Sequence, residues 1–280
     1  MARKSKFIGI LVSVVLALSL VLVACAPAAP AKVYTMKSGH SVSPDSTRHH
    51  VYMNFAELCE KYSDGRLKVD VYPSAALYGD KDSLEACMAG AIQFVFQPVA
   101  EVGKLTPVAD LLGGPGLYKD PEALLKFMKS KESREILADL KGKGLYPLGM
   151  NANGFRYIYM SNAKPIREPA DLAGIKIRSW PAEYPRSMIE AVGGTPVIIA
   201  FAEVPTALHE GAVDAVFTSA ASGYANKLHE LTKYYATGTV LGPSPNFGLV
   251  NMDFWNSLPN DLQKVIDKAW WESDVEEVYD

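Results

Sequence analysis

The sequence predicts an α/β protein made of two lobes, and three observations lead to this fold class. Short β-rich runs alternate along the chain with longer segments of helical periodicity. This alternation occurs twice, before and after an Asn-Gly pair at residues 153–154. The chain has 280 residues, 49% hydrophobic and 21% charged, with a net charge of −3. These values are typical of a globular protein and exclude a disordered chain or a nucleic-acid binder that works through a basic face.

The first 24 residues have the pattern of an export signal, because three cations precede an almost uncharged apolar run over residues 7–23. A retained membrane anchor of minimal length is the alternative interpretation. Small residues then lead to Cys25, and residues 25–32 form an Ala/Pro tether. This order resembles the lipobox of bacterial lipoproteins, which implies cleavage before Cys25 and lipid attachment to it. An ordinary signal peptide with an incidental cysteine remains the other possibility.

The first α/β lobe is predicted over residues 33–153. Its opening elements are a strand over 33–38, a helix over 47–62, a strand over 66–72, a helix over 80–89 and a strand over 91–96. This order predicts parallel strands with crossover helices on both faces of the sheet. A long helix over 121–140 and two separate strands over 145–151 and 155–160 follow.

The second α/β lobe is predicted over residues 154–244. Its strands are expected over 174–179, 196–199 and 213–217, and its helices over 185–192 and 203–209. Residues 245–280 are expected to supply a strand that returns to the first lobe and a C-terminal helix from about residue 260. No stop signal precedes Asp280, so we expect the helix to run to that residue and the natural protein to continue beyond it.

Signature motifs of enzymes are missing from the sequence. There is no Gly-x-Ser-x-Gly elbow, and His209-Glu210 and His229-Glu230 lack the second histidine of a zinc-protease helix. The glycines at 113–116 lack the spacing of a dinucleotide or phosphate loop. We therefore predict a protein without catalysis and without a cofactor.

Histidines at positions 40, 49 and 50 raise the question of a metal site. Adjacent histidines on a helix do not face each other, and no Cys or carboxylate completes a set. The sequence therefore predicts no metal, and His40 is interpreted as a polar residue at the end of the first strand, near the cleft.

Cys59 and Cys87 are too few for a disulfide scaffold. In a sheet ordered 2-1-3, their helices would lie on opposite faces, beyond disulfide distance. Both are predicted to be buried free thiols.

A set of short motifs carries the most information about function. They are Gly154-Phe155-Arg156, Lys164-Pro165-Ile166, the run over 169–178 that ends in Lys176-Ile177-Arg178, Gly193-Gly194-Thr195-Pro196, Phe201-Ala202-Glu203-Val204 and the run over 207–214. The segments at 55–58, 65–69 and 72–74, earlier in the chain, belong to the same set of motifs. Over nearly all of residues 33–270, the chain resembles the substrate-binding proteins of tripartite ATP-independent periplasmic (TRAP) transporters.

The resemblance implies a periplasmic-binding-protein-like fold whose two lobes close over an organic acid. It also implies membrane permease subunits, driven by an ion gradient, as partners. By the same resemblance, Arg178 grips the ligand carboxylate, Arg156 is a second arginine of the cleft and Phe201 is an aromatic wall. Thr218 stands where many members have Asn within an Asp-Gly-x-Glu-Asn stretch, so a ligand cannot be carried over from members with that amide.

Physical chemistry supports Arg178 independently of the resemblance. It follows Ile175 and Ile177, at the carboxyl end of a buried strand, where open α/β sheets bind ligands. Its planar guanidinium can bind both oxygens of a carboxylate. A surface salt bridge is the alternative for Arg178, and a structural ion pair is the alternative for Arg156.

Other side chains are candidates for the walls of the site. Trp180 is expected to lie, with Phe201, against the body of the ligand, and its alternative is an ordinary core position. The weaker candidates for orienting hydrogen bonds are Gln97, Thr218 and Asn246.

The sequence thus predicts an extracytoplasmic lipoprotein that captures a small organic acid and delivers it to a TRAP transporter. A lipoprotein of the same fold that serves a membrane sensor or scavenges its ligand is the alternative. The identity of the acid stays open.

Overall fold

The computed structural model describes residues 32–161, 164–236 and 242–273. Its strands are β1 (Tyr34–Gly39), β2 (Leu67–Tyr72), β3 (Phe94–Pro98), β4 (Leu145–Met160), β5 (Lys176–Ser179), β6 (Thr195–Ile198), β7 (Ala215–Ser219), β8 (Tyr234–Tyr235) and β9 (Pro243–Asn251). Its α-helices are α1 (Thr47–Tyr62), α2 (Asp80–Met88), α3 (Val99–Val102), α4 (Pro107–Leu112), α5 (Pro121–Met128), α6 (Glu132–Glu135), α7 (Glu183–Ala191), α8 (Val204–His209), α9 (Ala220–Ala225), α10 (Leu228–Leu231), α11 (Met252–Ser257) and α12 (Asn260–Glu272). Short 3-10 turns lie at Ala138–Lys143, Pro169–Leu172 and Phe201–Glu203.

The strands form a parallel pair and a larger mixed sheet. β1 pairs with β2, and the larger sheet has the order β3-β9-β4-β7-β5-β6, with β8 against β4. The Gln93 N–H donates to the Lys37 carbonyl at 3.1 Å, which joins the middle of β1 to the start of β3. A second bond runs from the Lys37 N–H to the Gln93 side-chain oxygen at 3.0 Å. Among the described residues, the predicted order 2-1-3 is therefore present only through the bonds between Lys37 and Gln93, because the full ladder of β3 is with β9.

The carboxyl ends of strands from the two halves face each other across the middle of β4. β3 and the first part of β4 run in the same direction, since each is antiparallel to β9. β7 is antiparallel to the last part of β4 and parallel to β5. Asn151 of β4 is level with the end of β3, and Arg156 of β4 is level with the end of β7. The distance along β4 between these two residues is roughly 16 Å at ~3.3 Å per residue.

The two faces of the large sheet are covered differently. One continuous apolar cluster spans a face from Val95 of β3 to Phe217 of β7 and Ile177 of β5. The other face carries two separate clusters, one containing Phe96 and the other Val216. We call the first face the core face and the second, on which the two clusters are separate, the cleft face.

Several predicted elements are confirmed. Helix α1 has the predicted bounds, and the Ser46 hydroxyl caps it by accepting from the His49 N–H at 3.2 Å. Strands β1 to β3 and β5 to β7 occur in the predicted order, and β9 is the predicted return strand. The lobe boundaries themselves stay a prediction.

The helix predicted over residues 121–140 is wrong as a single element. The chain forms α5, α6 and a 3-10 turn instead. The Ser130 hydroxyl donates to the Phe127 carbonyl at 2.7 Å, and the Ser133 hydroxyl donates to the Met128 carbonyl at 2.9 Å. These side chains compete for the carbonyls that would continue the helix, which therefore ends at Met128.

Two further boundaries differ from the prediction. The strands expected at 145–151 and 155–160 are one strand, β4, whose register with β9 shifts between Ala152 and Phe155. The C-terminal helix ends at Glu272, where Ser273 caps it, and the part of the prediction over residues 274–280 lies outside the described residues. Among the helices of the described ranges, none combines the length and the apolar character that crossing a bilayer requires.

The signal segment, Cys25 and residues 237–241 and 274–280 lie outside the described residues. Cys59 and Cys87 are described, and both are buried and free, as predicted. They belong to different clusters, Cys59 on the cleft face and Cys87 on the core face. Burial raises the pKa of both thiols, that of Cys87 to about 12.

Candidate functional site

Arg178 lies near the carboxyl end of β5, on the cleft face. Its neighbour Ile177 belongs to the core-face cluster, so strand alternation sends Arg178 to the opposite side. The residue is 5% exposed. Its Nε and Nη2 donate to the Ile199 carbonyl at 3.2 and 3.0 Å, and its guanidinium carbon is 5.0 Å from the ring centre of Phe201. Phe201 opens the 3-10 turn after β6 and thus covers one side of the guanidinium.

The charge of Arg178 is only weakly compensated. Burial lowers its pKa to about 10, and the carboxylate of Glu203 partly opposes this shift. Within the described ranges, no carboxylate forms an ion pair with Arg178. Arg178 therefore stays cationic at neutral pH, and a buried cation of this kind favours an anionic partner.

Thr218 and Asn246 lie on the same face of the sheet as Arg178. Each follows or precedes a phenylalanine of the core-face cluster, Phe217 or Phe247, so alternation places it on the cleft face. Thr218 is opposite Tyr157 in the ladder, and Asn246 is opposite Asn151. Both are buried polar residues of the cleft face.

Arg156 lies on the core face and is 2% exposed. Its Nη1 donates to the carbonyls of Gly113, at 3.1 Å, and of Pro243. Its guanidinium carbon is 4.5 Å from the ring centre of Trp180 and 5.8 Å from that of Phe217. Arg156 therefore contacts three separate parts of the fold, namely the segment after α4, the start of β9 and the residue after β5.

The electrostatics of Arg156 are those of a desolvated structural cation. Burial lowers its pKa to about 10, while a hydrogen bond with Tyr184 and the charge of Asp110 act in the opposite direction. Burial also raises the pKa of the Asp110 carboxyl, against the effect of Arg156. No described carboxylate lies within ion-pair distance of Arg156, so the ion pair considered as its alternative role is not formed.

Trp180 and Gln97 also belong to the core face. Trp180 stacks on Phe217 with ring centres 5.3 Å apart. Gln97 is fully buried, and its amide donates to the Ser83 hydroxyl at 2.6 Å. The structure thus does not bring Trp180 and Phe201 together, because strand β5 ends at Ser179 and Trp180 turns to the opposite face from Arg178. The expectation of one ligand body against both rings is corrected accordingly.

A histidine pair lies at the carboxyl end of β1. His40 Nε2 and His49 Nδ1 are 3.0 Å apart, and the His40 ring stacks on Tyr52 with ring centres 4.6 Å apart. The Tyr52 hydroxyl accepts from the Phe96 N–H at 2.7 Å, which ties the pair to β3 and to the first cluster of the cleft face. Sequence reasoning placed His40 correctly at a strand end but missed the contact with His49. Across the described part of the chain, no cluster of ligating residues could hold a metal ion.

Comparison with known proteins gives this geometry its context. The model of the family DctP, described as bacterial extracellular solute-binding protein, family 7, matches residues 38–279. The chain belongs to this family. It is 35% identical over 261 residues to the C4-dicarboxylate-binding periplasmic protein DctP of Rhodobacter capsulatus, covering 92% of this chain and 76% of that protein.

Solved structures agree with this membership. The fold matches a TRAP periplasmic solute-binding protein from Shewanella oneidensis, with bound succinate, at a TM-score of 0.77 and 28% identity, over 87% of this chain and 78% of that one. A relative from Roseobacter denitrificans, with bound β-D-glucuronate, gives a TM-score of 0.78 and 26% identity, over 86% and 79%. The protein is therefore a TRAP-type periplasmic solute-binding protein of the DctP family, with the two-lobe α/β fold, and its family is one of transport rather than catalysis.

Proposed function

We propose that this DctP-family protein captures a small organic acid by holding its carboxylate on Arg178, and delivers it to the membrane permease subunits of a TRAP transporter. The observation that carries the proposal is a nearly buried arginine at a strand end that has a carbonyl and a ring as neighbours and no described ion-pair partner. The three relatives described above are named for, or solved with, acids that share a carboxylate, namely C4-dicarboxylates, succinate and glucuronate.

The ligand-contacting set in this proposal is narrower than the sequence alone suggested. Arg178 supplies charge, Phe201 covers the guanidinium and the ligand body, and Thr218 and Asn246 supply hydrogen bonds. Arg156, Trp180 and Gln97 support the sheet from the core face. The substitution of Asn by Thr at position 218 shortens the polar group and adds a methyl, so this chain's ligand need not be that of members with the amide.

Two measurements test the carboxylate proposal. A thermal-shift screen of organic acids identifies binders, because a ligand at 100 times its dissociation constant adds about 2.7 kcal/mol of stability. Calorimetry of the best acid then compares the protein with Arg178→Ala, which is expected to lose roughly 2 to 5 kcal/mol of binding, about 30-fold or more in affinity. Arg178→Lys should also weaken binding, since a point charge replaces the planar fork.

The matched control is Arg186→Ala, which removes an exposed arginine paired with Glu190 on α7. It should leave the affinity unchanged. Equal affinity for the acid and its methyl ester or amide, or an unchanged dissociation constant in Arg178→Ala, would remove the carboxylate and Arg178 from the proposal.

The proposal includes export and a lipid anchor at Cys25. Its support is the order of an n-region, an apolar run and small residues before a cysteine. Cys25→Ala should lose the lipid and the membrane fraction while the folded domain still binds ligand. Membrane association that survives detergent-free washing in this variant would show that the apolar run is itself retained as the anchor.

Delivery is tested by uptake. Proteoliposomes that hold the permease subunits and an ion gradient should accumulate the radiolabelled acid only when this protein is added, and Arg178→Ala should abolish that dependence. Binding without any stimulation of uptake would argue against delivery and in favour of a ligand-presenting or scavenging role.

A further inference from the structure

The ribbon of β4 and β9 narrows to two strands between the half of the protein that contains β3 and the half that contains β7. The ladder of β3 with β9 ends at the pair Pro98–Asn246, and the ladder of β7 with β4 begins at the pair Ser219–Arg156. Among the described strands, the residues between these pairs are bonded only to each other. We call this segment the neck; it comprises residues 152–155 of β4 and 243–245 of β9.

The ladder inside the neck is irregular. Residues 153–154 of β4 together face the single residue 244 of β9, which is a β-bulge. Pro243 and Pro245 flank this position, and neither has an N–H to donate. The neck therefore has fewer cross-strand bonds than a regular two-stranded ladder, and its backbone alone offers little resistance to bending.

The half with β3 holds the ribbon firmly up to the neck. Gly149 of β4 faces Gly248 of β9, and the indole of Trp270 packs on this pair. A Cβ on Gly248 would lie 2.6 Å from two carbons of the indole, and one on Gly149 would lie 3.2 Å from its Nε1. Trp270 belongs to the same apolar cluster as Phe55 and Phe96. Helix α12 therefore fixes this part of the ribbon to the first cluster.

Asn153 attaches the neck to the half with β7. Its Nδ2 donates to Ser222 Oγ at 2.9 Å and to Ser219 Oγ at 3.3 Å, which uses both hydrogens of the amide. Ser219 is the last residue of β7, and Ser222 lies in the first turn of α9, where its N–H donates to Ser219 Oγ at 3.2 Å. These three residues form a network, which we call the Asn153 latch, between the bulge and the junction of β7 with α9.

We propose that the Asn153 latch sets the rate at which the two halves open and close. With the latch formed, residue 153 moves with β7, and bending is confined to the peptide steps around Ala152. A bend carried by fewer residues needs a larger change of φ and ψ in each, so opening and closing are slower. The latch joins groups on one side of the bend and is the same in both arrangements, so it changes the rate and leaves the equilibrium unchanged.

Relaxation dispersion of methyl groups in the ligand-free protein tests the proposal. The method reports the exchange rate and the populations of two arrangements on the μs–ms timescale of hinge motion. Met150 and Leu249 supply probes on one side of the neck, and Ile158 and Val216 supply probes on the other. Asn153→Ala should raise the exchange rate about threefold or more, and should leave the populations as they are.

A matched control and a rescue separate this role from a purely structural one. Asn226→Ala removes another asparagine amide, which donates to the Ser222 carbonyl at 2.9 Å within the same helical segment. It should lower the stability to urea about as much as Asn153→Ala does, but should leave the exchange rate unchanged. Asn153→Asp should restore the slow rate, because its carboxylate can accept from both serine hydroxyls.

Four results would overturn the inference. They are an unchanged exchange rate in Asn153→Ala, an equal rise in Asn226→Ala, a change of populations without a change of rate, and a rate in Asn153→Asp as high as in Asn153→Ala. Absence of dispersion from both the unaltered protein and Asn153→Ala would overturn it as well, because the latch would then have no motion to control. No ligand is added in these measurements, so their failure leaves the carboxylate proposal intact, and loss of that proposal leaves the latch intact.

Discussion

Arg178 and Arg156 are two nearly buried arginines on strands of one sheet, and they have different environments. Arg178 lies on the face with two separate apolar clusters, and Arg156 on the face with one continuous cluster. Arg178 directs two nitrogens at a single carbonyl, whereas Arg156 contacts two carbonyls and two aromatic rings. If Arg178 binds the ligand as we propose, the face of the sheet rather than burial distinguishes a ligand-binding arginine from one that stabilises the fold.

The difference has a basis in sequence. In the related Asp-Gly-x-Glu-Asn stretch, the Glu position is Phe217 in this chain. Arg156 lies over the ring of Phe217. It therefore makes a cation–π contact with the residue at the position where members with this stretch have a carboxylate. The charge of Arg156 is instead balanced by carbonyl dipoles, Tyr184 and the more distant Asp110.

The largest expected effect is the loss of stability in Arg156→Ala. Two buried carbonyls, of Gly113 and Pro243, would lose their donor, at about 1 to 3 kcal/mol for each. Arg178→Ala should change the free energy of unfolding much less, since only the Ile199 carbonyl loses a donor. Urea unfolding of both variants measures this contrast, and a greater loss in Arg178→Ala would reverse the assignment of the two arginines.

Truncation of an aromatic side chain should have different effects on the two faces of the sheet. Trp180→Ala removes a core ring stacked on Phe217 and should cost about 3 to 5 kcal/mol of stability. Phe201→Ala removes a half-buried ring beside Arg178, so affinity for the acid should fall more than stability. Urea unfolding and calorimetry are compared for both variants. A fall in affinity confined to Trp180→Ala would place the ligand on the core face.

Acid should lower the free energy of unfolding because His40 is held neutral in the fold. Because the pKa of His40 is lowered to about 4 in the fold from 6.5, the unfolded chain binds more protons between these values, and stability falls as the pH falls through this window. The loss from pH 7 to pH 5 is about 2 kcal/mol. His49, whose pKa is also lowered, adds to the loss.

Urea unfolding at pH 7 and pH 5 measures this slope. The charged and titratable groups that face His40 are Arg48, His49, Tyr52 and Asp80. His40→Gln should flatten the slope, and the control His209→Gln, on exposed residue 209 at the end of α8, should not. An unaltered slope in His40→Gln would mean that other groups produce the acid sensitivity.

The smallest effect concerns the thiols on the two faces. Cys59 and Cys87 are buried with raised pKa values, so neither should react with a maleimide at neutral pH in the folded protein. Both should react after denaturation without reductant. Failure to react under those conditions would indicate that the two are oxidised to each other.

The sequence was sufficient to predict the bounds of a helix where the residues at its ends determine them. The bounds of helix α1 were predicted because an apolar face repeats from Val51 to Cys59 and because the Asp64-Gly65 pair, with positive φ at both residues, follows its end. The helix over 121–140 was overpredicted, since its composition favours helix throughout and the interruption depends on which carbonyls the serine hydroxyls meet.

The positions of the candidate site residues in the fold were predicted in part, for a related reason. Strand alternation places Arg178 correctly, but it extends to Trp180 only if the strand continues, and β5 ends at Ser179. The His40–His49 contact joins a strand end to the first turn of a helix. No periodicity within either element encodes such a contact, because it depends on how α1 packs on the sheet.

Strand β4 has a mechanical consequence for a protein that must admit and release its ligand. It is one 16-residue strand shared by both halves, so the halves are joined by a continuous ribbon rather than by a loose tether. The ladder of this ribbon with β9 changes register between Ala152 and Phe155, beside Gly154 at φ 70°. Because the ladder of cross-strand bonds is interrupted there, we expect any bending of the ribbon to concentrate within these few residues, while the pairings on either side hold each half together.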